Sequence, residues 1–101
     1  MSYGEFHGEH VRLSVLRMLA GLSGYFANDS VLTQGVNGVG LSCTRDQMRG
    51  HLVWLEEQRL VSIQRVGSTG SIIVATLTER GGDVAAGRST VPGVQRPSPG
   101  S

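Results

Sequence analysis

Residues 54–81, WLEEQRLVSIQRVGSTGSIIVATLTERG, constrain the fold more than any other part of the chain. A helical pattern runs out at their start. Over 60–66, Leu60, Ser62, Gln64 and Val66 alternate with Val61, Ile63 and Arg65, the period of a strand. The tetrapeptide GSTG at 67–70 has turn composition, and SIIVATLT at 71–78 supplies a second strand. The two strands and their turn predict a β-hairpin. Thr78 is placed to cap a short helix, TERGGDVAAG, with Glu79 in its first turn; the adjacent Gly81 and Gly82 weaken it and leave its extent open.

Upstream, apolar residues recur at helical spacing. Val11, Val15, Met18 and Leu22 form one stripe over 9–22, with Leu13, Leu16 and Ala20 beside it. So wide a face implies burial against several neighbours, or partly against another subunit. Residues 25–29 read as a link in which Tyr25 and Phe26 plug the core. Asn28, Asp29 and Ser30 are all suitable caps for a short helix over about 30–37. Asn37, Gly38 and Gly40 supply the backbone freedom of a tight turn. Ser42 or Thr44 then caps a helix over about 44–58, whose inward stripe is Thr44, Met48, Leu52 and Leu55, with Trp54 on its flank.

The predicted order is three helices, a two-stranded hairpin and a closing helix. That is the order of a winged helix-turn-helix, an α+β fold in which the third helix enters the major groove and the hairpin is the wing. Residues 8–87 form this domain, 1–7 an N-terminal arm, and 88–101 a flexible tail that holds all three prolines.

The stretches YFANDSVL, SCTRDQMRGHLVWLEEQRLV and LTERGGDVAAGRSTVPGVQRPSPG resemble the small ArsR-like winged-helix proteins of Mu-like transposable bacteriophages and prophages. The resemblance implies a transcription-regulator-like, DNA-binding protein, on the strength of fold. Metal-sensing ArsR relatives use paired cysteines. Cys43 is the single cysteine here, so metal sensing is not implied. Arg59 stands where many winged helices place a glycine after the third helix.

The residues best placed to touch DNA are Thr44, Arg45, Gln47 and Arg49 on the third helix, and Arg65, Ser68 and Thr69 on the wing. Arg45 and Arg49 are one helical turn apart. A guanidinium suits bidentate contact with guanine or phosphate. Asp46 sits between them and repels phosphate. Every one of the nine positive charges is an arginine, which genome composition explains equally well. A net charge of +1 is small for a domain whose affinity would rest on neutralised phosphates.

Other chemistry has little to hold. Glu56 and Glu57 are adjacent and diverge around their helix. His7, His10 and His51 are singly placed, and no metal-ligand spacing or cofactor motif stands out, so neither metal nor cofactor is expected. The default for Cys43 is a packing thiol, although its place near a helix start allows a lowered pKa. No apolar run approaches the roughly 20 residues that span a bilayer, and no signal peptide is read, so the expectation is a cytoplasmic protein of a bacterial host cell, without membrane contact and not an enzyme. Two functions follow: a homodimeric protein that binds double-stranded DNA, or a protein-interaction module that docks on a phage packaging or morphogenesis component or on a host protein. The second predicts an exposed apolar patch around Val53 and Trp54, with Arg45 and Arg49 neutralised by acids.

Overall fold

The computed structural model describes residues 2–98. Helix α1 spans Tyr3–Ala20, and the Ser2 hydroxyl caps it by accepting from the Glu5 N–H. It therefore begins six residues before the apolar stripe, because Tyr3, Gly4, Glu5 and Phe6 are exposed turns that the stripe does not mark. The described part of the expected arm, residues 2–7, is the cap and first turns of this helix. Val11, Val15, Leu16 and Leu19 of α1 are wholly buried and form the centre of the core.

The expected link contains a strand. Strand β1 (Phe26–Asn28) pairs antiparallel with the second hairpin strand, with Ala27 opposite Ala75. Ala27 faces the core while Tyr25 and Phe26 point outward, so neither aromatic is the plug that the sequence suggested. Helix α2 (Asp29–Gly38) follows, capped by the Asn28 side chain on the Val31 N–H. Its end is a Schellman turn: the Leu41 N–H donates to Val36 O and the Gly40 N–H to Asn37 O, with Gly40 at φ +89°. The Asn37 amide donates to Cys43 O at 2.8 Å and ties this turn to the start of the next helix.

Helix α3 (Arg45–Glu57) starts with a capping box. The Thr44 hydroxyl accepts from the Gln47 N–H, and the Gln47 side chain accepts from the Thr44 N–H. It ends on a second Schellman turn, with Leu60 N–H to Leu55 O and Arg59 N–H to Glu56 O. Here the left-handed position belongs to Arg59, at φ +62°. Met48, Leu52, Leu55 and Leu60 are wholly buried, and they anchor α3 to the core.

Strands β2 (Val61–Val66) and β3 (Ile72–Leu77) make the expected hairpin, in the register Ser62 to Thr76 and Gln64 to Val74. With β1 they form a three-stranded antiparallel sheet in the order β1-β3-β2, one strand more than predicted. Helix α4 (Glu79–Ala85) is capped by Thr78 as expected. Gly81 is buried, because a Cβ there would overlap the Leu60 carbonyl oxygen. The result is an α+β fold of four α-helices and one sheet among the described residues.

Residues 86–98, after α4, have neither helix nor strand, yet residues 90–95 lie on the body of the protein. Val91 and Val94 are buried in the core cluster. The Gln95 N–H donates to Glu9 O at 3.2 Å. These contacts differ from the flexible tail expected over 88–101. Two valines flank a turn at Gly93, and proline-rich composition conceals that small apolar anchor. Residues 99–101 of that expectation lie outside the described residues.

Candidate nucleic-acid interface

The N-terminal turn of α3 lies beside the turn end of the hairpin. Arg45 makes the connection: its Nη2 donates to Ser71 O at 3.3 Å, just before β3 begins. The same guanidinium meets Asp29, with Nε 3.2 Å from Oδ2 and Nη2 3.4 Å from Oδ1. Arg49, one turn later, places its Nε 3.7 Å from Asp29 Oδ2. Asp29 is the first residue of α2 and has no exposed surface, whereas the side chains of Arg45 and Arg49 are 50% and 35% exposed. One buried carboxylate thus holds two arginines that both still reach solvent.

Of the residues expected to contact DNA, Arg45, Arg49 and the hairpin are brought together on one side. Arg65 is exposed on β2 opposite Ile73, and Ser68 and Thr69 are exposed at the hairpin tip. Gly67 and Gly70 take the positive φ values that close this turn, at +92° and +66°. Thr44 and Gln47 are exposed, but the Thr44 hydroxyl and the Gln47 carbonyl are occupied in the capping box. Asp46 is in the first turn of α3 and exposed, so the face carries an acid as well as arginines.

Asp29 was the residue the sequence did not mark. It was one of three adjacent cap candidates, and Asn28 took the capping role. With Asn28 at the cap, Asp29 turns inward, 16 positions before its partner Arg45; no local period connects them.

Trp54 does not form an outward patch. It is partly buried beneath Arg12 of α1, whose guanidinium carbon lies 4.5 Å from the ring centroid. Gly93 packs against the same indole beside Arg12, where a Cβ would meet the ring at 2.5 Å. Arg12 also donates from Nη1 to Gly93 O at 2.7 Å and from Nε to His51 Nδ1 at 3.2 Å. Burial, then the charge of Arg12 and the proximity of His7, push His51 down to about 4. Cys43 is buried and burial raises its thiol pKa, the reverse of what a helix start would do. Its Sγ donates to Thr44 O. His7 Nε2 bonds Ser42 O at 2.7 Å, and His10 meets Phe6 edge to face at 4.5 Å. Among the described residues, no three His, Cys, Asp or Glu side chains are grouped to hold a metal ion, and no helix is long and apolar enough to cross a membrane.

The chain is 42% identical over 91 residues to the uncharacterized protein gp26 of Escherichia phage Mu, covering 90% of this chain and 91% of that one. It is 41% identical over 80 residues to an uncharacterized protein of Haemophilus influenzae strain Rd, covering 79% and 76%. No family model matches the chain. No solved structure matches it either.

Proposed function

The chain belongs to the family of phage Mu gp26, and from that relation and its α3–hairpin face we propose a winged-helix DNA-binding protein of Mu-like phages and prophages, transcription-regulator-like and acting in the cytoplasm of the bacterial host. The observation that carries this reading is the Arg45 bridge. It joins the start of α3 to the hairpin, so that Arg45, Arg49 and Arg65 can meet one duplex together. In this reading α3 lies in the major groove and the hairpin reaches the adjacent backbone or minor groove. Asp29 gives the arginines fixed positions at the cost of one positive charge. Pre-positioned guanidiniums lose less side-chain freedom on binding.

The protein acts as a homodimer in this reading. The buried face of α1 is already covered by the core, and Val91 and Val94 are taken up in it as well. What α1 leaves outward is Tyr3 and Phe6 near its start and Arg17 near its end, with His10 half-buried between them, while Leu13 belongs to the core. Tyr3 is 81% and Phe6 46% exposed. A two-fold axis beside Tyr3 and Phe6 would pair these exposed aromatics of the two copies, and the DNA reading requires it to set the two α3 helices in major grooves about 34 Å apart. Light scattering should return twice the chain mass of 10.7 kDa; the single-chain mass would remove the dimer.

The deciding experiment is fluorescence-anisotropy binding to random-sequence duplex DNA. Three arginine contacts per copy, six in the dimer, predict a roughly 2,000-fold loss of affinity between about 50 and 200 mM salt. Arg45→Ala/Arg49→Ala should abolish most binding. Absence of wild-type binding at about 50 mM salt would overturn the proposal. One observation favours a protein-interaction module instead: the arginine pair is partly neutralised by an acid, Asp29. That reading predicts no DNA binding and capture of a phage or host protein; of the apolar patch it called for, Val53 is exposed and Trp54 is partly buried.

A further inference from the structure

An open cleft of about 520 Å³ lies between the first half of α1 and the middle of α3, with His7, Arg12, Gln47, His51 and Trp54 among its walls. Three glycines keep it open: Gly4 and Gly8 on α1, and Gly50 on α3. Glycine inside a helix is unfavourable relative to alanine, so each calls for a reason. Gly8 has one in the fold: a Cβ there would press on Arg12 Nη2 at 3.3 Å and His51 Cε1 at 3.4 Å. Gly50 has none, since nothing lies within 4 Å of its Cβ position, and Gly4 meets only Ser2 Oγ at 3.9 Å. Packing does not require these two glycines. Their effect is to leave both walls bare.

The free polar groups in the cleft are mainly donors. His51 Nδ1 accepts from Arg12, which leaves the ring proton on Nε2. The Gln47 carbonyl accepts from Thr44, which leaves its NH₂. His7 Nε2 must donate to Ser42 O, which leaves Nδ1 as the one ring acceptor. No carboxylate lines the cleft, and Arg12 is in none of the ion pairs among the described residues. A partly buried guanidinium in no ion pair, with Glu9 as an electrostatic neighbour outside the cleft, beside two further donors and an indole, is the chemistry of an anion site with an apolar wall. We infer that this cleft binds a small ligand whose carboxylate or phosphate group sits on Arg12, His51 and Gln47 and whose apolar part lies against Trp54. The inference does not rest on DNA binding. The bound anion would share Arg12 with Gly93 O, and so touch the docking of the C-terminal segment.

Trp54 is the single tryptophan, so intrinsic fluorescence reports on the cleft. The test is a titration of the full chain with inorganic phosphate and, separately, benzoate, with ionic strength held constant by sodium chloride. The expected result is a saturable change with at least one probe, at a midpoint of about 10 mM or tighter. Which probe binds more tightly separates a phosphate from a carboxylate ligand. Gly50→Leu projects into the cleft from an exposed helical position and should weaken binding at least tenfold (order of magnitude) with the circular dichroism spectrum unchanged. Arg12→Gln should do the same; if it fails to fold, Gly50→Leu carries the test. No saturable change with either probe up to about 100 mM overturns the inference, as does a response that Gly50→Leu leaves intact.

Discussion

The carboxylate of Asp29 is wholly buried and lies 3.2 Å from the Nε of Arg45, linking the first residue of α2 to the first residue of α3. The pair fixes the two helix starts relative to one another. A buried carboxylate is tolerable only when its charge is answered, and Arg45, Arg49 and the Ser30 N–H answer it here. The Arg45 bond to Ser71 O extends the restraint to the hairpin.

Asp29→Asn keeps the shape of the side chain and removes the charge. It should lower stability by about 1–3 kcal/mol, less than a fully buried pair would lose, because both arginines can turn to solvent. Urea denaturation followed by circular dichroism measures this. A change below about 0.5 kcal/mol would mean the pair does not brace α2 against α3.

Arg59→Gly should stabilise the protein. The Schellman turn after α3 places Arg59 at φ +62°, in the region where an L-residue is strained, while Gly40 fills the equivalent place after α2 without strain. Relief of that strain, less the extra freedom of glycine in the unfolded chain, should gain roughly 0.5–1 kcal/mol. A rise in Tm on thermal unfolding is the readout, and Arg59→Ala, which keeps the strain, should not show it.

How much of this was legible in the sequence follows from the range of the forces involved. Thr44, Thr78 and the hairpin were readable because a cap acts over three residues and a strand over its own period. The special place of Arg59 was also visible, as a position where glycine is the usual occupant. Strand β1 was not, since three residues cannot display a period and its partner Val74 lies far along the chain. Nor was the docking of Gly93 on Arg12, which joins residues 81 positions apart. At the candidate site the arginines were legible as charges, but their tether was not, because the inward turn of Asp29 depends on which of three neighbours becomes the cap.

Gly81 and Gly82 look alike in sequence and should behave oppositely. Gly81→Ala forces a methyl into the Leu60 carbonyl and should cost roughly 2–3 kcal/mol through a shift of α4. At Gly82 the nearest atom to a Cβ is Leu77 Cδ2 at 3.8 Å, an ordinary contact. Gly82→Ala should therefore stabilise by about 0.5–1 kcal/mol through helix propensity. Paired chemical denaturation of the two variants checks the contrast, and equal effects would contradict the placement of α4.

His51 should make the protein acid-sensitive in a defined window. Its pKa falls from the ordinary 6.5 to about 4 in the folded state, because burial, Arg12 and His7 all disfavour the imidazolium. The folded protein therefore binds this proton less readily than the unfolded chain, and stability rises with pH through the interval. The contribution is complete above about pH 6.5 and is lost as pH falls toward 4. Protonation also removes the Nδ1 acceptor of the Arg12 Nε–H and sets two cations side by side, which loosens the hold of Arg12 on Gly93. The ring is partly exposed, so solvent screening limits the loss to about 1–2 kcal/mol. His51→Gln can accept the same hydrogen bond without titrating. Its stability, followed by urea titration at stepped pH, should be flatter than wild type between pH 6.5 and 4; parallel profiles would show that His51 is not the group responsible.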